Sequence, residues 1–273
     1  MCDLCVLESV KDRMMSRRGL FKSAVGAAAA MTVGSAVGTR PALASAAQDV
    51  HDLTHTLSKD FPTFGGPSGY RPEQVANFAE NGYNMFTLVI DEHTGTHIDA
   101  PLHFSADGAS VDELPVGQLI CPLAIIDIAE KAASDADAQL TPDDIKAWIA
   151  AHGPIPEGAC VAMYSGWAEK VGTDLFRNAD KDGVMHFPGF HIEATQMLLE
   201  ETRAAAIAVD TLSLDYGASA DFATHYAWLP AGRYGIECVA NLDKLPATGA
   251  TMIVGAPKHK GSTGGPARLM ALV

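Results

Sequence analysis

His93-Thr94-Gly95-Thr96-His97-Ile98-Asp99-Ala100-Pro101-Leu102-His103 sets three imidazoles and a carboxylate at alternate positions of one short stretch. In an extended chain these four side chains share one face. At ~3.3 Å per residue, His93 and His97 would stand about 13 Å apart along a straight strand, whereas ligands ~2.1 Å from a zinc ion nearly touch. The chain must therefore bend between them, and Gly95 permits the bend. His97 and Asp99, about 6.6 Å apart along a strand, are within joint reach of one ion. A lone histidine in a half-buried strand is ordinarily a hydrogen-bonded structural side chain. Three histidines and an aspartate converging without a counterion would leave costly unpaired polar groups, so the pattern reads as a metal or catalytic cluster.

Outward from this stretch, short apolar runs bounded by Gly, Pro or acids predict strands over Asn84–Asp91, Ala124–Ile128, Cys160–Tyr164, Ala206–Asp210 and Thr251–Gly255. Helical patterns alternate with them. Thr141 is a candidate N-cap with Pro142 at the first helical position, opening a segment that runs to Ala151 and stops at Gly153. Ala194, Met197, Leu198 and Glu201 keep helical spacing within His191–Arg203. The alternation predicts a mixed α/β domain.

Upstream, His51 and His55 look like a second metal pair, but no carboxylate follows at ligand spacing, and a structural or solvent-facing role is expected. The loop Phe61-Pro62-Thr63-Phe64-Gly65-Gly66-Pro67 offers aromatics that either plug a core edge or wall a pocket. Downstream, His225 and Glu237 are twelve residues apart. Glu237 lies between Ile236 and Cys238-Val239, where an unpaired carboxylate is expensive. Taken alone it predicts an ion pair with Arg233 or Lys244; beside an incomplete metal cluster it is a candidate for completing the shell.

The ends and the composition set the compartment. Ser16-Arg17-Arg18-Gly19-Leu20-Phe21-Lys22, an alanine-rich run and Ala42-Leu43-Ala44 together make a twin-arginine export signal over residues 1–44, with 1–13 lying before an alternative start at Met14 or Met15. Residues 45–273 are then a single exported domain, periplasmic or secreted, with no membrane segment after cleavage. The leader holds six Lys+Arg and three acids; taking these from 19 and 33 leaves 13 basic and 30 acidic residues, a formal charge of −17. Such a surface argues against nucleic acid or anionic lipid as partner. Cys121, Cys160 and Cys238 have apolar neighbours and read as buried free thiols.

From Asp52 to about Pro257 the chain resembles the metal-dependent cyclase-like hydrolase family, which includes bacterial kynurenine formamidase and isatin hydrolase. The family's His-x-Gly-Thr-His-x-Asp-x-Pro-x-His element stands unbroken at 93–103, followed by weaker matches at Val161–Trp167, Phe187-Pro188-Gly189, Val209–Asp215 and Gly235–Pro246. The resemblance implies metal ligation by His93, His97 and Asp99 and proton transfer by His103. It further implies that His225 and Glu237 complete a two-metal site, and that Phe64, where the formamidases carry tryptophan, lines the substrate pocket. It implies a swivelling β/β/α fold around a small β-barrel-like core, and a homodimer or higher homo-oligomer.

The expected reaction is hydrolysis of a small cyclic or N-formyl aryl amide, by hydroxide generated at one or two divalent ions, with His103 as proton shuttle. Nitrogen and oxygen ligands without thiolate suit zinc or manganese. No Gly-x-Ser-x-Gly elbow supports serine catalysis. Two rival readings use the same residues: an Fe(II) oxygenase with a His/His/Asp triad, or a secreted metal-binding protein without catalysis.

Overall fold

Cys160-Val161-Ala162-Met163 and Ala206-Ile207-Ala208-Val209 are apolar at every position, the composition of strands covered on both faces, and they alternate small with large. In the computed structural model, which describes residues 49–66 and 69–273, that alternation sorts the two sides of the main sheet. Cys160, Ala162, Ala206 and Ala208 join one apolar cluster with Tyr234 and Ile236, while Val161, Met163, Ile207 and Val209 join another with Trp148, Leu198 and Trp228 from the helices. Small side chains on the inner face leave room for the sheet to curl.

In chain order the elements are β1 (Val50–Asp52), a hairpin of β2 (Tyr70–Ala76) and β3 (Met85–Ile90) with α1 (Phe78–Asn81) at its tip, then β4 (His97–Asp99) and β5 (Ile120–Asp127). They continue with α2 (Ala129–Ser134), β6 (Gln139–Leu140), α3 (Pro142–His152), β7 (Cys160–Tyr164), β8 (Gly189–Phe190), α4 (Ile192–Glu201), β9 (Ala206–Val209) and α5 (Ala223–Trp228). The last are β10 (Tyr234–Glu237), β11 (Thr251–Gly255), β12 (Gly264–Pro266) and β13 (Arg268–Leu272). Nine strands form one sheet in the order β1-β13-β11-β5-β7-β9-β10-β4-β12. Its centre, β5-β7-β9-β10, is parallel, and the flanking pairs are antiparallel. The expected mixed α/β fold is present, its sheet a curled half-barrel with open edges at β1 and β12.

The predicted strands all form, with β5 starting earlier, at Ile120. The helix over 142–151 forms as α3: Thr141 and Asp144 make a reciprocal capping box, and Gly153 ends it at φ +90°. Helix α4 starts one residue after His191, whose side chain accepts the Glu193 N–H. One predicted strand lies elsewhere than in the core, because β3 pairs only with β2, outside the main sheet. The export signal of residues 1–44 lies outside the described residues.

Candidate metal centre

Gly95, at φ +69°, turns the chain between the first two histidines, so that their ring centroids stand 5.2 Å apart instead of a strand's length. The motif is thus not one extended segment. Only His97–Asp99 is strand, and Pro101 then opens a 3-10 turn, Pro101–Phe104, which lays His103 over His93 with centroids 3.8 Å apart. Antiparallel pairing of β4 with β10 sets Glu237 opposite His97 and Gly235 opposite Asp99. A Cβ at Gly235 would lie 2.6 Å from Leu214 and 3.3 Å from Asp99 Oδ2, so glycine makes the room the carboxylate occupies. Helix α5 delivers His225.

The result is a buried cluster of imidazoles and carboxylates. His97 Nε2 lies 3.3 Å from Asp99 Oδ1 and 3.4 Å from Glu237 Oε2; His225 Nε2 lies 3.2 Å from Glu237 Oε1 and 3.9 Å from Asp99 Oδ2. His97 Nδ1 stands 2.8 Å from the Gly95 carbonyl, a contact that requires N–H there and leaves Nε2 to face the carboxylates. His97 Nε2 and Asp99 Oδ2 are buried with no hydrogen-bond partner. Orphaned polar atoms converging on acidic oxygens are what a divalent cation satisfies. Two sets of ligand atoms close to within 4.8 Å of one another: His97/Asp99/Glu237 and His93/Asp99/His103, with Asp99 in both. His93 Nδ1 contacts Asp99 Oδ1 at 2.7 Å, and its Nε2 reaches the Thr263 hydroxyl at 2.9 Å.

All six residues of the expected ligand and shuttle set meet here, though grouped differently from the sequence expectation. The ion pair expected for Glu237 taken alone does not form: Arg233 donates to the carbonyls of Leu198, Leu199 and Thr202, and Lys244 donates to Asn241. Glu237 instead accepts the Leu214 N–H at 3.0 Å and faces the two histidines. His51 and His55 are outside both ligand sets. The aromatic loop does both jobs open to it, Phe61 joining an apolar cluster and Phe64 lining the cavity.

Asp215 stands in the sequence only as the end of the Val209–Asp215 match, and its role comes from the fold. Its carboxylate accepts the backbone N–H of Thr224 and of His225 at the start of α5, and lies 2.6 Å from His225 Nδ1. It thereby fixes the ring so that Nε2 points at Glu237, the carboxylate-to-imidazole arrangement that orients metal ligands. An acid directly after Leu212-Ser213-Leu214 was the signal available.

The carboxylates set the charge state of the histidines. Burial opposes charge on His97, but the Asp99 and Glu237 carboxylates override it and hold the imidazole well above its ordinary range. Burial likewise opposes charge on His225, and hydrogen bonds to Asp215 and Glu237 lift it to about 10. His103, by contrast, is brought down to about 4, chiefly by burial, so it is neutral at pH 7. An ion held by His97, Asp99 and Glu237 must replace the proton on His97, and His225 gives up its own only where it too is a ligand. Ion uptake at pH 7 is therefore expected to release about one proton for each of these two histidines that ligates, read by calorimetry in buffers of different ionisation enthalpy; uptake without proton release would contradict this charge state.

Above the cluster lies a cavity of about 260 Å³. Phe64, Phe104 and Phe222 wall it, with Phe222 centroids 5.7 Å from Phe64 and 5.8 Å from Phe104. Phe104 also packs on His225, centroids 4.6 Å apart. Cys238 lines the cavity beside Glu237, and burial pushes its thiol well above the ordinary range, so it offers no thiolate. Cys121 and Cys160 are buried and free, as expected.

A family model described as putative cyclase matches residues 51–216. Isatin hydrolase of Roseibium aggregatum is 33% identical over 250 residues, covering 85% of this chain and 94% of that protein. Kynurenine formamidase of Bacillus anthracis is 37% identical over 79 residues, 29% of this chain and 38% of that one. The solved isatin hydrolase A of Labrenzia aggregata, bound to benzyl benzoate, is 39% identical with TM-score 0.79 over 85% of this chain and 96% of that one. A structure described as a potential metal-dependent hydrolase with cyclase activity has TM-score 0.63 at 25% identity, over 83% and 98% of the two chains. The buried histidine–carboxylate cluster and these likenesses agree: the chain belongs to the cyclase family of hydrolases and is an amidohydrolase acting on C–N bonds.

Proposed function

We propose that this protein hydrolyses a small planar amide, a cyclic one of the isatin kind or an N-formyl aryl amide, with a divalent ion, zinc or manganese, as cofactor. The observation that carries the reading is the three-phenylalanine wall set directly over the buried cluster with its orphaned His97 Nε2 and Asp99 Oδ2. His97, Asp99 and Glu237 would hold the ion, with His93 and His225 able to complete one site or a second. When bound, a divalent ion acidifies water towards neutrality and polarises a carbonyl. The donors are nitrogen and oxygen only, which suits either metal.

The chain's own groups supply the rest. Phe64, Phe104 and Phe222 stack an aryl ring and keep bulk water from the scissile bond. His103, neutral and at the cavity, takes a proton from the attacking water as the new C–O bond forms and then returns it to the departing nitrogen, so that the C–N bond breaks second and the products are a carboxylate and an amine. Asp215 keeps His225 aimed. The reading extends to export by the twin-arginine signal of residues 1–44 and to the swivelling β/β/α class of fold.

A panel of isatins, N-formyl aryl amides and cyclic imides, assayed with zinc and with manganese, tests the substrate. His103→Ala is expected to lower turnover on the best substrate by about 100-fold or more while metal content by elemental analysis stays at the wild-type level. Loss of the metal in that variant would make His103 a ligand, and absence of hydrolysis across the panel with full metal loading would overturn the proposal.

A further inference from the structure

Glu92 stands immediately before the histidine stretch, and Thr263 lies 171 residues further on, at the head of Gly264-Gly265-Pro266. Strand pairing brings the two together. Edge strand β12 runs antiparallel to β4 with Gly264 opposite Asp99, and the Ala100 N–H donates to the Thr263 carbonyl at 2.8 Å. A Cβ at Gly264 would stand 2.2 Å from the Ile98 carbonyl oxygen and 2.9 Å from His93 Cε1, so the bare glycine is what lets this strand approach the first histidine so closely. Thr263 is thereby set beside the His93 ring.

Counting hydrogens fixes how the three residues face one another. Glu92 Oε2 accepts the Thr263 N–H at 2.9 Å and also the Thr263 hydroxyl. A carboxylate ionised at pH 7 can only accept, so the one hydroxyl hydrogen of Thr263 is committed to Glu92. Thr263 Oγ1, 2.9 Å from His93 Nε2, is then left to accept, and the ring carries its hydrogen on Nε2. Nδ1 in turn presents a lone pair to Asp99 Oδ1 at 2.7 Å, a gap between two acceptors that a hydrogen or a cation must bridge.

We propose that Glu92 and Thr263 are positioning residues for the divalent ion, holding His93 with its hydrogen on Nε2 so that Nδ1 is the atom that ligates beside Asp99. The inference rests on the metal reading of the site given above. The arrangement parallels that of Asp215 on His225, with a hydroxyl interposed between carboxylate and imidazole. The ring so held also lies under His103, the two stacked at 3.8 Å and 20°, so the same pair steadies the group proposed to move the proton.

Competition between the full chain and a chelator for Co²⁺, followed by the visible absorption of the bound ion, reads affinity and ligand geometry without any substrate. Thr263→Val is expected to weaken Co²⁺ binding about 10- to 100-fold and to alter the absorption spectrum, while Thr263→Ser, which keeps the hydroxyl, restores both. Glu92→Ala frees the hydroxyl to donate to Nε2, which moves the ring hydrogen to Nδ1, and should cost the same affinity. The double variant Glu92→Ala/Thr263→Val should bind no more weakly than either single one, because the two residues act as a unit. Circular dichroism and melting at the wild-type level distinguish this loss from misfolding. Wild-type affinity in Thr263→Val, a Thr263→Ser as weak as Thr263→Val, or additive losses in the double variant would overturn this inference alone; a wild-type chain that takes up no Co²⁺ would overturn it together with the metal reading.

Discussion

Asp99→Asn is expected to strip the protein of its divalent ion and to lower turnover about 1000-fold or more. The size follows from position: Asp99 is fully buried, belongs to both ligand sets, and presents an oxygen that no hydrogen bond satisfies. Its carboxylate is held well below the usual range; burial would raise it, but the charge on His97 and the hydrogen bond from His93 outweigh that. Asparagine keeps the shape and removes the charge that balances the cation. The several kcal/mol that a cation contributes to a transition state convert to about three decades of rate. The strand should survive, since β4 pairs with β10 and β12 through its backbone. Elemental analysis and kcat on one preparation check the result, and a variant with wild-type metal content and turnover would remove Asp99 from the centre.

Gly189→Ala is expected to destabilise the fold by about 3 kcal/mol, the upper part of the range for overpacking. For a domain of this size that is a melting temperature lower by about 6–12 °C. A Cβ at 189 would stand 2.2 Å from the Tyr216 nitrogen and 2.3 Å from the Asp215 carbonyl carbon, and backbone cannot step aside as a flexible side chain can. Any shift moves Asp215, which aims His225, so lost stability should be accompanied by weaker metal binding. Gly117→Ala is the control, having open space at its Cβ, and should change stability by less than about 0.5 kcal/mol. Equal melting of the two variants would show that the close approach at Gly189 carries no energetic weight.

The same position separates what is local in the chain from what is not. Phe187-Pro188-Gly189 was visible as a matching motif, but not its reason, which is contact with residues 215 and 216. The strands were legible because a parallel strand covered on both faces must be apolar throughout. Helix α3 was legible because its capping residues are local. The hairpin strand β3 was legible as a strand, but its place outside the main sheet was not, since apolar composition does not say which strand a segment pairs with.

In the histidine stretch the sequence by itself determined the chemistry on offer and the need for a bend at Gly95, because both follow from side-chain types and the rise of an extended chain. It also named His225 and Glu237 as candidates. Only the tertiary structure decided how they are grouped: β4 lies against β10, which sets Glu237 opposite His97, and α5 brings His225 to the same carboxylates. Asp215 likewise acquires its partner only when Leu214 and α5 pack against β10. Local spacing fixes what one segment can reach, whereas ligation from distant segments depends on strand order and register, set by the burial of the whole sheet.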